Sequence, residues 1–253
     1  MSVAIFLGLV QGITEWLPIS SQGQLMSYSV TLLDITAEQA LSYSIWLHIG
    51  TLMAAIIYFR DEIFNILTLR DKGMFRWLFI ASLSTGITAV PLYIFIKSAI
   101  STYEASFILL LIGIMLILTG FLQRNVSESA GQKRMDDKSA LLTGLAQGFS
   151  ILPGISRSGT TVSVLLIQGF RAERSFSLSF LMSIPAVMGA ELVLGADGGA
   201  TVSYGSLLAV LVSFVVGYVT LERLINYAKK ANFWKFCMGF GIFLIVLFIM
   251  YLV

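Results

Sequence analysis

The sequence predicts an all-α polytopic membrane protein, an inverted-topology repeat with six transmembrane helices plus two re-entrant helical hairpins. Three observations predict it. Of 253 residues, 57% are hydrophobic and 12% charged, with a mean hydropathy of +0.88, whereas soluble domains carry roughly 25% charged residues. Six apolar stretches are long enough to span a bilayer. A short motif also occurs twice, as GLVQGITEWLPISSQG from Gly8 and, 136 residues on, as GLAQGFSILPGISRSG from Gly144. Gly8, Leu9, Gln11, Gly12, Ile19, Ser20 and Gly23 recur as Gly144, Leu145, Gln147, Gly148, Ile155, Ser156 and Gly159, 7 identities in 16 positions. Short apolar segments interrupted by Gly or Pro at matching places in two halves point to a binding site at the membrane midplane.

The first repeat covers about residues 1–123. It opens with apolar stretches at 2–15 and 24–33, separated by Pro18 and nearby glycines, followed by predicted spans at 41–59, 76–96 and 105–123. A linker at about 124–139 carries mixed charge and reads as a solvated cytoplasmic loop. The second repeat, about 140–253, has short stretches at 141–152 and 159–170 around Pro153, then spans at 175–195, 202–221 and 235–253. A span needs ~20 residues to cross ~30 Å of hydrocarbon at 1.5 Å per residue. The short stretches reach only roughly 15 to 21 Å. Each pair is therefore read as a re-entrant hairpin, 2–33 and 141–170, with tips that meet near the membrane centre. Irregular backbone at that depth survives where protein buries it or a watery cavity solvates it. The whole chain, 1–253, is one membrane domain.

Orientation follows from the basic residues. The loops at 60–76, 124–139, 171–174 and 222–235 hold 14 of the 16 Lys and Arg residues, which makes that side cytoplasmic. The opposite loops hold Asp34, Glu38, Glu104 and Asp197, with Lys97 their one basic neighbour. Three spans per half put the first hairpin on the outer side, the second on the inner side, and both termini outside. AEQALSYS at Ala37 echoes AERSFSLS at Ala172. The single cysteine, Cys237, excludes disulfides and cysteine metal sites within one chain and is read as packing. No basic run with interleaved aromatics suggests nucleic acid. The absence of Lys or Arg ahead of the first apolar stretch argues against a cleaved signal peptide.

Glu15 and Arg157 are the ionisable groups deepest in the predicted hairpins, and charge at that depth is a functional signal by default. A purely structural ion pair is the plainer alternative. Around them lie Ser20, Ser21, Ser156, Ser158, Thr160 and Thr161, more hydroxyls than one ion pair requires. Helices expected to begin after Gly23 and Ser158 would aim free N–H groups and a positive dipole end at the tips. An arginine adds a fork suited to phosphate. The ligand inferred from these residues bears phosphate. Gln11 and Gln147 either hydrogen-bond between the hairpins or line their cavity, and Glu191 is a weaker pocket candidate near the outer interface.

EWLPISSQG and PGISRSGTT resemble the two signature regions of the undecaprenyl-diphosphate phosphatase family of the bacitracin-resistance type. LHIGTLMA at Leu47 and SFLMSIPAVMGA at Ser179 extend the resemblance over essentially the whole chain. It implies a multi-pass protein of the cell membrane that removes the terminal phosphate of a polyprenyl diphosphate on the extracytoplasmic face, with Mg²⁺ or another divalent cation. Carried over by position, the catalytic residues fall on Glu15, Ser21 and Arg157, with Glu15 also the metal ligand. Gln11, Ser20, Gln24, Ser156, Ser158, Gly159 and Thr160 become substrate-binding candidates. Two positions depart from the pattern: Gln11 stands where the family commonly has glutamate, and Gln24 where it typically has histidine. The sole histidine, His48, is an accessory candidate if its span packs on the first hairpin. The partners expected are the lipid substrate and the bilayer, with a homodimer as an assembly open to such a chain. The rival reading is a polyprenyl-phosphate translocase, since inverted repeats with broken helices are also a transporter design.

Overall fold

In a lipid environment, backbone N–H and C=O groups have only one another to bond, so long apolar runs become helices. The computed structural model describes residues 2–33, 35–102, 105–124, 134–196, 203–228, 230 and 233–252. Asp34, Glu104, Asp197 and most of the predicted linker lie outside these residues. Among the described residues every regular element is helical: α1 Ser2–Thr14, α2 Ser21–Leu33, α3 Ala37–Tyr58, α4 Arg60–Leu67, α5 Lys72–Thr102, α6 Ala105–Arg124, α7 Asp137–Gly148, α8 Arg157–Ile167, α9 Ala172–Ala196, α10 Tyr204–Ala228 and α11 Trp234–Leu252, with a single 3-10 turn at Phe149–Ile151. Six of them, α3, α5, α6, α9, α10 and α11, are long and apolar enough to cross a membrane. The all-helical architecture with six long apolar helices matches the sequence reading.

Several ends differ from expectation, each for a local reason. Helix α2 starts at Ser21 rather than residue 24 because Ser20 caps it, its Oγ accepting the Gly23 N–H at 3.2 Å. Helix α8 starts at Arg157 because Ser156 does the same for Gly159 at 3.1 Å. The two caps are the recurring Ser and Gly of the motif. Helix α7 begins at Asp137 rather than 141 because Asp136 and Ser139 form a capping box. Helix α8 stops at Ile167 rather than 170: Gly169, at φ +91°, turns the chain left-handed, and the N–H groups of Gly169 and Phe170 return to Leu166 and Leu165. Helix α4 lies where a loop was expected, since its Arg, Asp and Glu dilute the apolar signal.

The four short helices have 11 to 13 residues, about 20 Å or less each. Their packing is matched between the halves: α1 lies against α10 as α7 lies against α5, each on a helix of the other half, and α2 lies against α3 as α8 lies against α9, each within its own half. The repeated glycines make those crossings close. A Cβ on Gly8 or Gly12 would collide with the α10 backbone at Ala209 or Gly217, and one on Gly144 or Gly148 with α5 at Ala81 or Thr88. Gly8, Gly12, Gly144 and Gly148 are thus packing residues. Between the short helices the two breaks touch: Gly23 lies against Gly154, and the Ser158 hydroxyl donates to the Leu17 carbonyl at 3.2 Å. Gly154 sits at φ +99° with Ile112 and Met115 pressed where a Cβ would stand.

Candidate functional site

The site forms where the breaks meet the third helix. Residue 15 follows the last turn of α1, residue 157 opens α8, and the two charges pair across 142 positions of sequence. Glu15 is nearly buried, with its side chain 6% exposed, and Arg157 little more open at 13%. Three further groups converge on Glu15 Oε2: the Ser21 hydroxyl donates at 2.7 Å, the Gln11 amide donates at 3.1 Å, and His48 Nε2 stands 3.2 Å away. The other ring nitrogen of His48 is 2.6 Å from the Ser44 carbonyl, which fixes the ring one helical turn along α3. A buried carboxylate is stable only when its lone pairs are met, and here both oxygens are engaged. Arg157 is held from behind by the Ser179 carbonyl at 3.3 Å and by the face of Phe180, 5.8 Å from its Cζ. Phe180 is in turn braced edge-on by Trp16, whose indole N–H donates to the Gly217 carbonyl.

Around this pair lies a polar cavity of about 40 Å³, lined by Glu15, Ser20, Ser21, Gln22, His48, Ser150, Ser156, Arg157 and Ser158 among others. It opens through Gln22, His48, Ser150 and Arg157 into a neck of about 110 Å³ that also takes in Gln147 and Thr85. All three expected catalytic residues reach the cavity. His48 joins them, because α3 packs on both α1 and α2. Of the expected substrate-binding residues, Ser20, Ser156 and Ser158 line the cavity, with the hydroxyls of Ser20 and Ser156 also serving as caps. Gln11, Gln24, Gly159 and Thr160 do not line it.

The exceptions have local causes. Gln24 is buried and turned back to the Ile19 carbonyl at 3.1 Å, bracing the break. Gly159 is a matter of space, since a Cβ there would press on Gln123, whose amide ties the first break by donating to the Pro18 carbonyl at 2.6 Å. Gln11 reaches Thr51 as well as Glu15 and leaves its own Oε1 buried without a partner. Gln147 does not touch Gln11. It donates to Thr85 at 3.0 Å and to the Met182 carbonyl at 3.4 Å. Glu191 stays outside the polar cavity. Gln22 and Ser150 are the polar lining residues that sequence reasoning missed, beside the apolar Leu17 and Ile155. Aligned copies carried the hint, since Gln22 faces Ser158 in the repeat and Ser150 faces Thr14. Ser20 holds a left-handed backbone at φ +59°. Such strain in a residue other than glycine gathers at functional sites. The fold thus brings a carboxylate, a hydroxyl, an imidazole and a guanidinium to one small cavity.

The family model described as bacitracin resistance protein BacA matches residues 4–247. A protein of Methanococcoides burtonii is 41% identical, the alignment covering 96% of each chain, and one of Methanothrix thermoacetophila is 41% identical over 96% of this chain and 95% of its own. A third, of Haloarcula marismortui, is 38% identical over 94% of each. All three carry the name undecaprenyl-diphosphatase.

Proposed function

The chain belongs to the bacitracin resistance protein BacA family, and we propose that it is an undecaprenyl-diphosphatase. It hydrolyses a polyprenyl diphosphate: water is consumed, the P–O–P anhydride bond breaks, inorganic phosphate leaves and the monophosphate lipid carrier is regenerated. The observation that carries the reading at the level of residues is the convergence of Glu15, Ser21, His48 and Arg157 on one buried cavity. The shared name of the relatives favours hydrolysis over carriage of the lipid.

Phosphoryl transfer asks a protein mainly for positioning and for neutralisation of charge. Arg157 supplies the charge and a planar fork for phosphate oxygens. The short Ser21 to Glu15 hydrogen bond sets the carboxylate to take a proton as an oxygen attacks phosphorus, and the same carboxylate serves a Ser21 nucleophile or a water in the cavity. His48 Nε2 meets the same Glu15 oxygen as Ser21 and helps to hold the carboxylate's orientation. Mg²⁺ fits these residues in one manner. Among the described residues no three acidic, His or Cys groups cluster to cage an ion, but Mg²⁺ is commonly held by one or two carboxylates plus substrate phosphates. Glu15 would hold it, and the side-chain Oε1 of Gln11, one turn before Glu15 in the chain, is buried without a hydrogen-bond partner. When bound it would spread negative charge off the transferring phosphoryl group.

The matched packing of the short helices between the halves supports an inverted repeat, and the paired short helices support re-entrant hairpins. With the basic loops on the cytoplasmic side of the plasma membrane, both termini face outward and the reaction faces the extracytoplasmic side. Purified protein given undecaprenyl diphosphate is expected to release phosphate, less so under EDTA, with added Mg²⁺ restoring it. Arg157→Ala should cut release by at least ~10²-fold, about 2.7 kcal/mol. Release that survives Arg157→Ala intact refutes the site.

A further inference from the structure

Among the described residues, none of α6 lines the polar cavity or the neck, yet two of its polar side chains reach the two breaks. Thr119 and Gln123 stand one turn apart on one face of the helix. The Thr119 hydroxyl accepts the Ser156 N–H and donates to the Gly154 carbonyl, each at 3.3 Å. The Gln123 amide donates to the Pro18 carbonyl at 2.6 Å. One residue therefore grips the second break, and the residue a turn later grips the first.

Both grips answer a need of the backbone, because carbonyls of irregular chain at membrane depth must find donors within the protein. In the first break three in a row do so: Leu17 receives the Ser158 hydroxyl, Ile19 the Gln24 amide, and Pro18 the Gln123 amide together with the weaker Cys237 thiol at 3.4 Å. Pro18 lies midway between Glu15 and Ser21 in the chain. Ser156, held by Thr119, is the cap directly before Arg157. Gly159, in the first turn of α8, leaves the room that the Gln123 amide occupies, since a Cβ there would stand 2.7 Å from its nitrogen. Helix α6 is itself fixed against α11, whose backbone at Gly241 and Trp234 would meet a Cβ on Gly113 or Gly120. The two segments that carry Glu15 and Arg157 thus share one support.

We propose that Thr119 and Gln123 are positioning residues of the phosphate-releasing site, a clamp on α6 that holds the two breaks in register and so sets Glu15 and Ser21 against Arg157. The inference rests on the diphosphatase reading above. Neither side chain lines the cavity, so each acts through the break it holds. Gln123 governs the break between Glu15 and Ser21, the groups assigned to the attack. Thr119 governs the entry to α8, where Arg157 is assigned to phosphate. Their kinetic signatures therefore differ, with loss of Gln123 falling on kcat and loss of Thr119 reaching KM.

The test measures phosphate release from undecaprenyl diphosphate by the full-length wild type, Gln123→Met, Thr119→Val and Thr119→Ser, with binding of undecaprenyl phosphate and thermal unfolding followed in parallel. Met and Val match the length and shape of Gln and Thr without the polar group. A misplacement of about 1 Å at a reacting centre can cost on the order of 10²-fold. Gln123→Met should accordingly lower kcat at least ~10-fold with KM nearly unchanged. Thr119→Val should raise KM and weaken binding of the monophosphate by ~5-fold, the scale of one lost hydrogen bond, and Thr119→Ser, which keeps the hydroxyl, should restore both. Constants of Gln123→Met and Thr119→Val that match wild type overturn the clamp, as does a Thr119→Ser that fails as Thr119→Val does. Where Thr119→Val is lost to unfolding, the split between kcat and KM in Gln123→Met decides. Wild type that binds undecaprenyl phosphate but releases no phosphate overturns the diphosphatase reading alone, and the clamp is then judged by binding in Thr119→Val against Thr119→Ser. Wild type that does neither overturns both.

Discussion

Glu15 Oε2 is met by Ser21, Gln11 and His48 at once, so each partner shares in orienting the carboxylate and none holds it alone. His48 differs from the others in also walling the polar cavity from the neck. His48→Ala should therefore lower kcat for phosphate release by at least ~10-fold, with less change in KM, because the substitution leaves the Arg157 guanidinium proposed to bind phosphate in place. A kcat equal to wild type would remove His48 from the machinery. Gln24→His should in the same assay leave the rate near wild type, since that side chain is aimed at the Ile19 carbonyl and not at the cavity. The contrast shows what a sequence can disclose. Glu15 and Arg157 were legible as lone charges in apolar surroundings. The direction of Gln24 was not, because it depends on how the break turns at Ser20, where φ is +59°. His48 was legible as a residue and became part of the site only through the packing of α3 on α1 and α2.

Among the elements, the same motif carries two kinds of information. Its Ser and Gly at the second break position are an N-cap and the amide it satisfies, so they mark where α2 and α8 begin. Its paired glycines set how near α1 comes to α10 and α7 to α5. The sequence located the breaks correctly but misjudged the ends by a few residues, because apolar patterning is silent about capping by Ser20, Ser156 and Asp136. The glycine roles predict a measurable split. Gly148→Leu forces atoms into Thr88 and Ala89, an overpacking that costs about 1 to 3 kcal/mol. For a chain of this size that lowers Tm by roughly 2 to 12 °C, whereas Gly86→Leu, facing open space, should hold or raise it. Thermal unfolding of the two variants in the same detergent decides the matter, and equal Tm losses would contradict the packing role of the motif glycines.

On the scale of the whole molecule, the site needs both halves. Glu15 and Ser21 come from the first copy and Arg157 from the second. Neither copy alone brings both charges to the cavity. This division explains why the copies diverged where they did: Ile151 stands opposite Glu15, and Ser21 opposite Arg157. The packing glycines and the capping serines are alike in the two copies, and the two paired charges are not. An inverted arrangement also makes a topological prediction that the cytoplasmic bias of the basic loops supplies with a sign. Glu38, at the start of α3, and Lys72, at the start of α5, are both exposed, and the one span α3 lies between them in sequence. Cys237, the one native cysteine, is buried and donates to the Pro18 carbonyl, so it should give little background labelling. On intact cells a membrane-impermeant thiol reagent should label Glu38→Cys and spare Lys72→Cys, with labelling of Lys72→Cys appearing only after permeabilisation. The reverse pattern would turn the protein over in the membrane and put phosphate release on the cytoplasmic side, while labelling of both positions from outside would break the three-span arrangement of the first half.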